Sequence, residues 1–220
     1  MPVRALIFDF DGTILDTETP EFESWRLEYA LFGVELPRAL WAAMIGTHDT
    51  SAFEPYGYLE ATIGAPLDRE RLRARRRAAM GDLIAAERPR PGIEDWIAAA
   101  RGRGMGLAVA STSRRDWVER HLGGAGLGDA FDHLACGDEV ERVKPAPDLY
   151  HLALDRLGVD PRAAIAIEDS PNGVAAAKAA GLFCIAVPNP MTADLDLSAA
   201  DIRVDSLAGL DLAEALRAAG

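Results

Sequence analysis

Four short runs of almost wholly apolar residues constrain this chain more than anything else in it: Val3 to Phe8, Leu107 to Ala110, Ala163 to Ile167 and Phe183 to Val187. Continuous runs of this length are found in strands that are covered on both faces. The last three each follow a stretch with helical spacing that ends near a glycine. These stretches are Ile93 to Arg103 before Gly104, Asp148 to Leu157 before Gly158, and Val174 to Ala180 before Gly181. Glycine is the residue that most readily takes the left-handed conformation after a helix. The alternation predicts an α/β fold, a doubly wound and mainly parallel sheet of Rossmann-like type with helices on both faces.

Between Asp16 and Arg88 the pattern changes. Apolar residues recur at helical spacing, as in Phe22, Trp25, Tyr29 and Phe32, then Leu72, Ala79 and Leu83. Thr17 to Pro20 and the run Pro89, Pro91, Gly92 bracket this stretch as linkers. The reading is therefore a core made of residues 1–15 and 90–220, with residues 16–89 inserted after the first strand as an all-helical unit. At 220 residues, a chain with 49% apolar and 26% charged residues can bury a core of that size.

A formal charge of −12 repels nucleic acid and anionic lipid, so neither is an expected partner. Any anionic substrate needs the field inverted locally by a metal ion and a few placed cations. Cys136 and Cys184 are far apart in sequence and form no metal-binding pattern, so both read as small core residues. No apolar stretch reaches membrane-spanning length and the N-terminal run is too short for a signal peptide. A cytoplasmic protein, monomer or homodimer, is expected.

In doubly wound sheets ligands bind beyond the carboxyl ends of the strands, so the polar residues that follow each apolar run are the candidates for chemistry. After the first run come Asp9 and Asp11, two residues apart and so able to face one site, then Gly12, which permits a turn. Two such carboxylates can serve as nucleophile and as acid and base; an Asp-Gly turn after a strand is also common. After the second come Ser111, Thr112 and Ser113 at a helix start, which suits an anion or a plain helix cap. Lys144 stands among prolines that fix the backbone around it. Glu168 and Asp169 end the third run, and clustered carboxylates are hard oxygen ligands suited to Mg²⁺.

These four pieces, in this order, resemble the signature of the haloacid dehalogenase superfamily, and the resemblance covers essentially the whole chain. It extends to the Lys144-Pro145-Ala146-Pro147-Asp148 and Glu168-Asp169-Ser170 forms of the subgroup similar to beta-phosphoglucomutase, and to a helical cap in the position of the insert. The resemblance implies a phosphatase acting on a small-molecule phosphate monoester through an aspartyl-phosphate. Asp9 is then the nucleophile, Asp11 the acid and base, and Ser111, Thr112, Gly12 and Lys144 the phosphate holders. Mg²⁺ is bound by Asp9, the Asp11 carbonyl and Asp169, with Glu168 assisting. Asp11 argues against literal dehalogenation, which needs no acid for an alkoxide leaving group.

The cap departs from the mutase pattern. Glu21 stands where a mutase has histidine, and Thr47 to Ser51 stand where it has an arginine that grips a second phosphate. A phosphatase is therefore favoured over a mutase, with Glu18, Glu21 and His48 as candidates for substrate specificity. Trp25 reads as core of the cap, and the run from Arg69 to Arg77 as a solvated face.

Overall fold

The computed structural model describes residues 1–41 and 53–220. The core is one parallel sheet of six strands: β1 (Ala5–Phe8), β2 (Gly106–Ser111), β3 (His133–Cys136), β4 (Ala164–Glu168), β5 (Phe183–Ala186) and β6 (Ile202–Arg203), in the order β3-β2-β1-β4-β5-β6. The chain leaves β1 towards β2 and β3, then returns on the other side as β4, so the carboxyl ends of β1 and β4 flank the point where the winding reverses. The four expected runs are β1, β2, β4 and β5. The strands β3 and β6 were not anticipated.

Within the apolar runs a period of two sorts residues by size. Leu6, Phe8, Leu107, Val109, Ile165, Ile167 and Ile185 face one side, where they pack with Ile93, Trp96 and Ile97 of α4 (Ile93–Gly102), Val118 and Leu122 of α5 (Arg115–Gly124), and Leu212 of α8 (Leu212–Ala219). The opposite face is mostly alanine: Ala5, Ala108, Ala110, Ala164, Ala166 and Ala186. Against it lie α6 (Asp148–Leu157) and α7 (Pro171–Ala179), whose own contacts include Tyr150 and Ala177. Small strand residues let helices approach closely, and both helices begin at the site end of the sheet.

The segment after β1 holds α1 (Glu18–Ala30), α2 (Pro55–Ile63) and α3 (Arg69–Ala86). Their shared core is aromatic: Phe22, Trp25, Tyr29, Trp41, Phe53 and Tyr56 are buried together, joined by Met191 from beyond β5. Trp25 thus lies where helical spacing put it. Phe32 does not, because α1 ends at Ala30 and leaves it in the following turn, 40% exposed.

The arginine run does not form one basic face. Arg69 binds Glu60, Arg75 binds the buried Glu28, and Arg76 stacks 4.9 Å from the ring centre of Trp25. Both cysteines are free and buried. Among the described residues no helix is long and apolar enough to cross a membrane.

The return to the core runs through Arg90, whose guanidinium donates to the carbonyls of Gly12 at 2.6 Å, Val187 at 2.8 Å and Pro188 at 2.7 Å. It ties the loop after β1 to the loop after β5. Two residues on, Gly92 sits at φ +92°, and a Cβ there would meet the Ala208 nitrogen at 2.3 Å and the Leu207 carbonyl carbon at 2.5 Å. Gly92→Ala is therefore expected to cost about 1–3 kcal/mol of stability, read from the midpoint of denaturant unfolding. An unchanged midpoint would contradict the close approach.

Candidate active site

Asp9 follows β1, and its N–H continues the ladder to the Ile167 carbonyl at 2.8 Å, which fixes the carboxylate beside the end of β4. Its Oδ1 accepts from Lys144 Nζ at 2.6 Å, whereas its Oδ2 is buried with no hydrogen-bond partner. Burial pushes the Asp9 carboxyl up to about 7, with Lys144 opposing and Glu168 adding to the rise.

Lys144 is 3% exposed and donates three times: to Asp9 Oδ1, to the Ala110 carbonyl at 2.7 Å and to Glu168 Oε1 at 2.6 Å. Burial works against its charge, but Asp9 and Glu168 outweigh that and hold its pKa above the ordinary value. Tyr150 donates its hydroxyl to the same Glu168 oxygen at 2.6 Å. Room for Glu168 is made by Gly173, where a Cβ would lie 1.8 Å from Glu168 Oε2.

Asp169, also buried, accepts from Asn189 Nδ2 at 2.6 Å. Burial, then Asp9, Glu168 and Glu18, raise its pKa well above the usual carboxylate range. Gly12, at φ +83°, passes so close that a Cβ would lie 2.4 Å from Asp169 Oδ2 and 2.5 Å from Asn189 Nδ2. One carboxylate oxygen from each of Asp9, Glu168 and Asp169 lies within 4.8 Å of the others. Three buried carboxylates outnumber the one buried lysine, and the remaining negative charge fits a divalent cation.

Asp11 is held on both oxygens. Oδ1 accepts from Thr17 Oγ1 and from Trp117 Nε1, each at 2.9 Å; Oδ2 accepts from Ser113 Oγ at 2.6 Å and Ser111 Oγ at 3.2 Å. A cavity of about 70 Å³ is lined by Asp9, Asp11, Glu18, Thr112, Lys144, Asp169, Ser170 and Asn172. The Asn172 Nδ2 is a second buried orphan there, a donor opposite the orphan acceptor of Asp9.

The structure thus brings Asp9, Asp11, Thr112, Lys144, Asp169 and Glu18 to one cavity, with Ser111, Glu168 and Gly12 packed directly behind its walls. Glu18 is the contribution of α1. Burial first, then Glu21, Asp11 and Asp9, push its carboxyl up to about 8. Glu21 stands one turn further, 3.7 Å from Arg76, with its pKa raised mainly by burial. His48 lies outside the described residues, as does the Thr47 to Ser51 segment.

Sequence reasoning missed Trp117, Tyr150, Asn172, Asn189 and Arg90. The Ser170-Pro171-Asn172-Gly173 helix start carried a signal for Asn172, since N-terminal helix positions point at the strand ends. The others carried none, because each reaches the site by long-range packing.

With this geometry in view, comparison with known proteins is direct. Residues 3–181 match the family described as haloacid dehalogenase-like hydrolase, and the chain belongs to that family. YhcW of Bacillus subtilis (strain 168) is 44% identical over 211 residues, spanning 96% of this chain and 95% of that protein. Fructose-1-phosphate phosphatase YqaB of Escherichia coli (strain K12) is 33% identical over 184 residues, covering 83% and 95%. The crystal structure of CbbY from Rhodobacter sphaeroides in complex with phosphate superimposes with a TM-score of 0.75 at 34% identity, covering 96% and 98%.

The raised carboxyls give a signed pH dependence. A carboxyl whose pKa is higher folded than unfolded makes the native state bind more protons, so its contribution to stability falls as pH rises from the unfolded value towards the folded one. For Asp9 that window runs from 3.8 to about 7. A divalent cation bound to the deprotonated cluster should offset the loss. Adding Mg²⁺ to chelator-treated protein is expected to raise the thermal midpoint more at about pH 8 than at about pH 5. Equal shifts at both would exclude the cluster as the site.

Proposed function

We propose that the chain is a Mg²⁺-dependent phosphatase that hydrolyses a sugar or polyol monophosphate through an aspartyl-phosphate on Asp9. The observation that carries this reading is the orphan oxygen of Asp9: it is buried and unpartnered on a residue that lines one cavity with Asp11 and with Asn172, whose amide nitrogen is an orphan too. Lys144 occupies the other Asp9 oxygen, which leaves Oδ2 as the nucleophilic atom.

Asp9 Oδ2 attacks phosphorus, and Asp11 gives a proton to the departing alkoxide. Asp11 then takes a proton from the water that opens the aspartyl-phosphate. Asn172 and the loop at Thr112 would face the equatorial oxygens, with Lys144 contributing its charge from behind Asp9, while Asp9, Asp169, the Asp11 carbonyl and Glu168 would hold the metal. When bound, Mg²⁺ supplies neutralisation of the phosphoryl charge and alignment for in-line attack. Glu168, engaged by Lys144 and Tyr150, serves chiefly to keep the lysine in place.

The substrate class follows from the cap wall and from the relatives. Glu18 in the cavity wall, with Glu21 one turn further along α1, offers acceptors for hydroxyl groups, and the relatives include a fructose-1-phosphate phosphatase and a hexitol phosphatase. A cap of residues 16–89 closing over a core of 1–15 and 90–220 would place these acids over the leaving group.

Release of inorganic phosphate from a panel of sugar phosphates, nucleotides and phosphoglycolate tests the reading. Asp9→Asn is expected to abolish turnover, and Asp11→Asn to slow it by about 10²- to 10⁴-fold with an acid-labile phosphoenzyme trapped. Native-rate turnover by Asp9→Asn would sink the covalent route. Efficient conversion of beta-glucose 1-phosphate to glucose 6-phosphate, without release of phosphate, would replace the phosphatase by a mutase.

A further inference from the structure

Of the four donors on Asp11, three are hydroxyls that can turn and accept a hydrogen bond as readily as they donate one: Thr17, Ser111 and Ser113. The fourth is the indole of Trp117, which can only donate. A donor-only partner at 2.9 Å keeps Oδ1 an acceptor, and it removes the freedom of the carboxylate to turn about its last bond. Both hydroxyls on Oδ2, from Ser111 at the end of β2 and Ser113 in the loop after it, can reverse, so Oδ2 is the oxygen free to exchange a proton with the leaving group.

The indole itself is well fixed. It is half-buried on α5, meets the His121 ring edge-on with centroids 4.2 Å apart, and packs against the apolar cluster under the sheet. It also forms part of the wall of a cavity of about 580 Å³ between α5 and the cap helix α3, with Leu15, Met80, Ile84 and His121. One side chain therefore touches both the acid–base carboxylate and the seam between cap and core.

We propose that Trp117 is a positioning residue for the reaction: its N–H anchors Oδ1 of Asp11 and so presents Oδ2 to the substrate. This rests on the acid–base role of Asp11 given above. Trp117 makes no contact with substrate, and its effect passes wholly through Asp11.

Trp117→Phe keeps the ring and its packing on His121 but removes the donor. It is expected to lower kcat about 10-fold, the worth of one hydrogen bond to a charged group, with KM changed less than about twofold and an unchanged thermal midpoint. In an Asp11→Asn background the same substitution should cost almost nothing, because residues acting as a unit are not additive. An equal loss in both backgrounds would mean that Trp117 acts by packing and would overturn the proposal. A second readout needs no activity. Among the indole N–H resonances, that of Trp117 should move between wild type and Asp11→Asn, while that of Trp96, bonded to the Leu210 carbonyl at 3.0 Å, should stay. A Trp117 resonance that ignores Asp11 overturns the tether. Should the wild-type chain hydrolyse no phosphomonoester, the phosphatase reading falls and the indole signal alone decides the tether.

Discussion

The ammonium of Lys144 is the interaction on which the site depends. Asp9, Glu168 and Asp169 converge at the ends of β1 and β4, all at most 7% exposed, and without a cation their mutual repulsion and desolvation would be far too costly to bury. Lys144 binds two of the three and the Ala110 carbonyl between them, so every one of its protons is used. A lysine missing one acceptor would be a buried liability. In the proposed mechanism its fixity would also direct the chemistry, because by occupying one oxygen of Asp9 it leaves the other to react.

The sheet explains how so much charge is held rigidly. Its alanine face lets α6 and α7 lie close to the strands, and these helices carry Tyr150 to Glu168 and Gly173 past it. A larger residue at Gly173 would collide with the carboxylate that holds the lysine. The bulky face, by contrast, gathers the main apolar core under α4, α5 and α8, and so anchors Trp117 where it can reach Asp11. Size alternation within apparently uniform apolar runs thus divides the labour of the two faces.

Much of this was legible in the residues. Asp9, Asp11, Glu168 and Asp169 stand at or just beyond the ends of apolar runs, where position marks them out, whereas Lys144 is marked by its flanking prolines and by the resemblance to the family. β3 escaped notice because His133-Leu134-Ala135-Cys136 has a polar start and two half-buried positions; β6 is a two-residue edge strand whose register is set only by its neighbour β5. Arg90 and Asn189 could not be found because they work through contacts to other elements, Arg90 to the Gly12, Val187 and Pro188 carbonyls and Asn189 to Asp169 across α7 and β5. No local pattern encodes a partner so distant. The arginine run is solvated as expected, with Arg69, Arg71, Arg73, Arg75 and Arg77 exposed, and its members face different partners because a helix turns successive residues to different sides.

The charge of −12 finally takes a specific meaning. Around the cavity the core supplies Lys144, Asn172 and the acidic cluster, whereas α1 supplies Glu18, with Glu21 one turn further along. Arg76, the cap cation beside them, is engaged with Trp25 and stands 3.7 Å from Glu21, so it tempers that acid rather than offering a free charge. On the proposed phosphatase reading, a leaving group rich in hydroxyls would find hydrogen-bond partners on such a wall. This division would, on the same proposed reading, put phosphate recognition at the sheet and leaving-group choice at α1, so substitutions in α1 would redirect the substrate without disturbing the chemistry below it.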